Sequence, residues 1–340
     1  MKNFDFAGVR GSRKFANSIR NLPGALYIFV VLFLAFMIVI PNFASLGNIL
    51  TYFQQASILV ILSAGMSLTI MTGGIDMSVG GAVSAIGVLM VLLMNKGVSE
   101  PLAILAGLLS AVLIGLVNGL VIVRLKVTPF IATFGMMGVG QGLANLLSGE
   151  RALYLPSNSQ FPVITFLQQD FFGMDFSVVV TLVIILLLIF LFNRTTLRAH
   201  LYALGGNREA AKLSNINIKA LEVFVYIISG LLAGVAAVLM LSRLNSAQPT
   251  AGDGLEFQAG VAAVLGGNAL IGGKGSVMGA VLGALVVYIV QNGLTLAGYN
   301  SNVVMVILGI ILITGVVINN VSENLANRKG VQRVKEGGAA

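Results

Sequence analysis

The 340-residue chain contains no cysteine, and His200 is its only histidine. Disulfides, thiolate nucleophiles and thiolate metal sites are therefore excluded, and a metal or haem site built on imidazole would lack a second nitrogen ligand. His200 lies in a basic polar loop, where a solvated structural role fits better than ligation. Charge is also scarce. Only 9% of residues are charged and 57% are hydrophobic, against about 25% and 45–50% in an ordinary soluble domain. So little polar surface suits a bilayer, itself an apolar solvent, rather than water. No paired carboxylates at catalytic spacing and no base beside a nucleophile emerge, which argues against an enzyme. The near absence of charge within the apolar runs disfavours an ion-coupled secondary transporter of a small polar solute, the main alternative for a chain of this composition.

Against those absences stand long apolar runs and 41 glycines. Gly115 and Gly119, Gly138 and Gly142, Gly230 and Gly234, and Gly275, Gly279 and Gly283 have the spacing that lets helix backbones approach closely, most simply within one chain. Ten runs are long enough to be read as spans: Gly24 to Ile40, Leu50 to Thr72, Met77 to Met94, Pro101 to Val123, Val127 to Ser148, Phe176 to Phe192, Val223 to Leu241, Leu255 to Ile271, Val277 to Gly298 and Val303 to Ile318. The eighth carries Glu256, Gln258, Asn268 and several glycines, the composition of a broken or buried segment. An all-α polytopic membrane protein follows, with three parts: a segment 1–23, a transmembrane domain 24–319 and a tail 320–340.

The net charge of +8 does not indicate nucleic acid, because its distribution matches a membrane protein. With the N-terminus inside, all of the 20 Lys and Arg except Lys96, Arg151 and Arg243 fall on the cytoplasmic side, as the positive-inside bias requires. Both termini are then cytoplasmic. Phe4, Phe6, Val9, Phe15 and Ile19, interleaved with basic residues, fit a short membrane-surface anchor or a disordered tail.

Gly272-Gly273-Lys274-Gly275-Ser276 resembles a phosphate loop but fails as one. In the GxxxxGK[ST] pattern Asn268 would take the first glycine position and Gly275 the Ser/Thr position. The simpler reading is a glycine turn with Lys274 at the interface, so any ATPase belongs to another subunit. Asp76, in Gly74-Ile75-Asp76-Met77-Ser78-Val79-Gly80, precedes an apolar run and suits a cap on free backbone N–H groups, in a structural or gating turn with Gly74. The stretch Gly73 to Val83 resembles Gly272 to Val281, a hint of parallel repetition. Asn118, Gln141, Asn145 and Gln291 are polar residues within spans that suit a translocation path for a hydroxylated solute, although helix-packing hydrogen bonds explain them as well. Between the sixth and seventh runs, 194–222 forms the longest inside loop, with a turn at Gly205-Gly206-Asn207 and an amphipathic short helix from Arg208 to Leu213.

Four blocks together resemble the ribose and galactose type sugar permeases of bacterial ABC importers: Gly74 to Gly80, Pro129-Phe130-Ile131-Ala132-Thr133, Tyr202 to Ala211, and Ser246 to Gly252 continuing through Gly266-Gly267 to Gly275. The resemblance implies a type II importer permease of about ten spans in the bacterial inner membrane. It further implies pairing with a second copy or a related permease, a periplasmic or extracellular sugar-binding protein, and a cytoplasmic ATPase that holds ATP and magnesium while this chain holds no cofactor. A ribose-like monosaccharide is the implied cargo, moved by alternating access. Gly205, Gly206, Asn207, Arg208, Glu209, Ala210, Ala211, Lys212 and Ser214 correspond to the coupling helix docking into the ATPase, with Glu209-Ala210-Ala211 matching the EAA-type signature. Asn215 replaces the usual glycine there and tolerates the left-handed conformation. Arg243, Gln248, Asp253 and Glu256 fall in the outer segment expected to meet the binding protein.

Overall fold

A computed structural model describes residues 24–317 except 157–159, 172, 312 and 315–316. The segment 1–23 with its surface anchor, and the tail 320–340, lie outside the described residues. The helices are α1 (Gly24–Val39), α2 (Leu46–Met71), α3 (Val79–Asn95), α4 (Glu100–Leu125), α5 (Pro129–Ser148), α6 (Pro162–Leu167), α7 (Phe176–Arg194), α8 (Leu197–Gly206), α9 (Arg208–Leu213), α10 (Ile218–Leu244), α11 (Leu255–Leu265), α12 (Val277–Leu296) and α13 (Ser301–Ile311). Four two-residue strands make two small antiparallel ribbons: β1 (Leu153–Tyr154) pairs with β4 (Ser246–Ala247), and β2 (Asp170–Phe171) with β3 (Met174–Asp175).

Each of the ten apolar runs holds a helix, yet among the described residues six helices, α2, α4, α5, α7, α10 and α12, are long and apolar enough to cross a membrane. Helices α1, α3 and α11 are shorter, and α13 is described over Ser301–Ile311. The largest difference is α11, expected to run to Ile271. It stops after 11 residues, about 16 Å against a hydrocarbon core of about 30 Å. Gly266 and Gly267 end it, the latter with φ +87°. Asn268 then accepts from the Ser276 N–H at 3.0 Å and donates to the Ala263 carbonyl at 2.8 Å. The residue in the failed phosphate-loop position thus joins α11 to the start of α12.

Helix α2 is the centre of the bundle, buried continuously from Ala56 to Met71 and packed against α10, α11 and α12. Glycine sets the closest approaches. A Cβ at Gly115 would stand 2.2 Å from the Tyr226 carbonyl oxygen, and one at Gly230 would stand 2.4 Å from that of Ala111. The α4 and α10 glycine pairs therefore face each other, antiparallel, inside one chain. Gly279 and Gly283 likewise receive Gly266, just past the end of α11, and Ala262 within it, whereas Gly138 and Gly142 meet nothing within 4 Å.

This antiparallel order gives the bundle two distinct ends. One gathers the end of α4 with Arg124 and Lys126, the start of α10, and the α8–α9 segment. At the other, buried Glu100 accepts from the Val163 and Ile164 N–H groups, each at 2.8 Å, and Gln168 donates to the Ser242 carbonyl at 2.5 Å.

Candidate coupling junction and polar cleft

At the basic end the chain leaves α7 and forms the two short helices α8 and α9. Gly205 and Gly206 are the last residues of α8, so the turn sits at Asn207 alone, whose backbone is extended (φ −155°, ψ 104°). Its side-chain oxygen accepts from the Ala210 N–H at 3.0 Å and caps α9, the role that Asn favours where a helix begins. Past the end of α9, Asn215 takes φ +59°, the left-handed conformation expected of it.

Arg208 fixes α9 to the bundle. Its guanidinium grips Glu222 of α10 in a fork, an ion pair with Nη1 to Oε1 at 2.5 Å and Nη2 to Oε2 at 2.8 Å. The Glu222 side chain is 7% exposed and that of Arg208 56%. Hydrogen bonding to Glu222 raises the Arg208 pKa above its ordinary value, against the opposing effect of burial. Glu209 and Lys212 share with Arg208, Lys126, Lys219 and Glu222 the lining of an open groove of about 730 Å³. Glu222 was not singled out in the sequence, although an acid fourteen residues after Arg208, at the start of an apolar run, was a legible signal.

The three glycine-rich segments that look unrelated in the sequence converge here. A Cβ at Gly205 would stand 2.1 Å from the Met71 carbonyl oxygen and 2.2 Å from the Gly273 nitrogen. One at Gly272 would lie 2.8 Å from the Gly73 nitrogen, and one at Gly273 2.9 Å from the Gly206 Cα. The Gly273 N–H donates to the Met71 carbonyl at 2.9 Å, and the Tyr202 hydroxyl donates to the Gly275 carbonyl. The two turns whose sequences resemble each other thus pack together, and the end of α8 closes on both. A displacement of α8 necessarily presses on the end of α2 and on the lead into α12.

Deeper in the bundle, Asp76 is fully buried. Its Oδ1 accepts from the Ser78 N–H at 3.0 Å and the Ser78 hydroxyl at 2.5 Å, and Asn118 donates to the same hydroxyl at 2.8 Å. Asp76 therefore secures the approach to α3. The residue immediately before the helix is Ser78, whose side chain makes no cap bond. The Ser229 hydroxyl faces the Asp76 carboxylate, and the buried Tyr226 hydroxyl makes no hydrogen bond to protein. Glu256, expected near the outer surface, is 5% exposed. The segment between β4 and α11 dips into the bundle, where the Gly252 N–H donates to Ser84 Oγ at 2.9 Å. A Cβ at Gly80 would meet a Glu256 oxygen at 2.0 Å, so Glu256 is sealed against α3. Irregular backbone at such depth is stable because protein, not lipid, surrounds it.

The four path candidates do not share one space. Asn118 belongs to the Asp76 knot, and Gln141 donates to the Pro249 carbonyl at 2.9 Å. Asn145 lines a different hollow with Gln248. Gln291 opens into a polar cleft of about 450 Å³ together with Arg243 and Asp253. Of the four residues expected to meet a binding protein, Arg243, Gln248 and Asp253 are exposed. Lys274 is exposed on the turn beside Gly275. Nothing in either region pairs a nucleophile with a base; what the geometry provides is linked helix ends and a polar opening.

A bundle of apolar helices with inserted polar loops and a docked surface helix is the construction of an integral membrane permease. The chain belongs to the family described as branched-chain amino acid transport system / permease component, which matches residues 48–316. It is 33% identical over 317 residues to the ribose import permease protein RbsC of Escherichia coli K12, covering 92% of this chain and 98% of that one. It is 35% identical over 280 residues to RbsC of Bacillus subtilis 168, covering 82% and 86%. To the D-allose transport system permease protein AlsC of E. coli K12 it is 32% identical over 298 residues, covering 87% and 90%. No solved structure matches the chain.

Proposed function

We propose that this chain is the translocating subunit of an ATP-driven importer of a monosaccharide, with a ribose-like sugar the leading cargo. The observation that carries the proposal is its similarity, over 92% of its length, to a protein named for ribose import, joined by a relative named for D-allose. In this reading the domain 24–319 crosses the bacterial inner membrane about ten times, with non-helical backbone completing the crossings of α3 and α11. Segments 1–23 and 320–340 are cytoplasmic. The permease works with a second copy of itself or a related chain and with an external sugar-binding protein. ATP and magnesium bind the partner ATPase.

The loop 194–222 is the coupling loop. Residues 205–214 dock into the ATPase, Arg208 transmits load through Glu222 to α10, and Gly205 transmits it to the ends of α2 and α12. Lys274, Gly74 and Asp76 belong to the turns that move, while Arg243, Gln248 and Asp253 face the binding protein. Both ligands bias a two-state pore without covalent chemistry in this chain. Because the chain lacks cysteine, a lone Lys212→Cys is the only thiol for a bismaleimide bridge to the ATPase. A cross-linked ATPase adduct and ATP-dependent uptake of D-ribose, D-allose or D-galactose by vesicles holding all subunits are the expected results. Absence of the adduct together with absence of ATP-dependent sugar uptake overturns the reading.

A further inference from the structure

We infer that the cleft among α2, α10, α11 and α12, at the end of the bundle away from the coupling loop, is a weak binding site for a neutral polyol. The inference rests on the importer reading above and names a place in this chain where the sugar pauses. The cleft encloses about 450 Å³, and a neighbouring hollow of about 370 Å³ shares Gln258, Gln291 and Thr295 with it. Sites for small molecules are concavities of this size in which a few polar groups converge.

The convergence here is built. The Tyr288 hydroxyl donates to Gln55 Oε1, and Arg243 reaches the same tyrosine. Asn292 is locked by reciprocal amide bonds to Asn48, both at 3.0 Å. Gln291, one turn from Tyr288, has a buried Oε1 with no protein partner. A buried amide oxygen left unpaired is costly, and a hydroxyl from a ligand would satisfy it. Ile58, Leu59 and Leu255 supply an apolar wall, the complement of a sugar's C–H face.

The charges select the ligand class. Arg243 and Asp253 line the cleft with opposite signs, so their formal charges cancel and neither an anion nor a cation is favoured overall. Amide, phenol and hydroxyl groups outnumber that pair. Vicinal hydroxyls, each donor and acceptor, match those amide, phenol and hydroxyl groups, and L-leucine in the test below probes the zwitterion that Arg243 and Asp253 also complement.

The test uses Thr295→Cys, a lone thiol in a cysteine-free chain, in the full-length permease in nanodiscs. A charged methanethiosulfonate reports its labelling rate with and without high concentrations of D-ribose, D-allose, D-galactose or L-leucine. At least one sugar should slow labelling several-fold while leaving Lys96→Cys, at the exposed end of α3, unaffected. Adding Gln291→Leu should remove that protection, read as the ratio of the rates with and without sugar in the same variant. Equal rates with all sugars, protection by L-leucine alone, or equal slowing at Lys96→Cys would each overturn the inference. Uptake by the complete transporter is scored separately: sugar uptake without protection sinks the cleft site and leaves the importer standing, whereas loss of uptake sinks the importer reading itself.

Discussion

Gly205 and Gly206 are adjacent and chemically identical, and the fold gives their alanine variants opposite expected outcomes. At Gly205 a Cβ would stand 2.1 Å from the Met71 oxygen and 2.2 Å from the Gly273 nitrogen, both backbone atoms in different segments. Neither can rotate away, so the three segments must part by an ångström or more. Overpacking of this kind costs roughly 1–3 kcal/mol. Parting them also breaks the bond from the Gly273 N–H to the Met71 carbonyl, worth about 1 kcal/mol. Gly205→Ala should therefore destabilise by roughly 2–4 kcal/mol on those two contributions, and uptake should fall with it, so this variant disturbs packing as well as coupling. At Gly206 a Cβ meets nothing within 4 Å, and the residue is helical. Gly206→Ala should be neutral or stabilising by up to about 1 kcal/mol. Thermal melting of the purified variants in one detergent, followed by circular dichroism, makes the comparison. Equal melting midpoints for the two variants would refute the packing argument.

Removing Arg208 strands the Glu222 carboxylate. Arg208→Ala should cost about 1–3 kcal/mol and expose α9 to protease, while adding Glu222→Ala should recover part of the loss; a double variant as weak as the sum of the singles would exclude coupling. Glu100→Ala should free the start of α6 and raise hydrogen exchange across 162–167 while leaving α10 and α12 unchanged, since the two hydrogen bonds it removes are worth about 1–3 kcal/mol together. At Asp175, burial raises the carboxyl pKa, with the hydrogen bond from Gln54 opposing it and nearby Asp170 adding to it. A raised folded value means that protonation favours the fold, so stability is fuller below the unfolded value of about 3.9 and declines as pH rises through the folded value. Asp175→Asn should flatten the fall in melting midpoint between those two values, and an unchanged slope there would contradict the assignment.

The apolar runs made the helices legible, because only continuous hydrophobicity satisfies a bilayer. Glu256, Gln258 and Asn268 marked α11 as unusual, yet its length depended on Gly266 and Gly267 ending it, which periodicity does not reveal. Asn215 was readable because left-handed turns select few residue types, whereas Asn207 was read as part of a turn and instead caps α9. The junction of Gly205 with Gly73 and Gly272 was not, since those glycines lie far apart in sequence and each looks like an ordinary turn. For Asn118 and Gln141 the residue type announced a polar role but not its partner. One joins the Asp76 knot and the other holds the Pro249 loop, and only the folded chain separates them from Gln291.

ATP hydrolysis and sugar uptake followed together in vesicles containing the permease, its ATPase and its binding protein test the central claim most directly. The account predicts that uptake stops when the ATPase is omitted or ATP is replaced by a non-hydrolysable analogue, and persists when ionophores collapse the proton and sodium gradients. Uptake that continues without the ATPase and disappears with the gradients would contradict it.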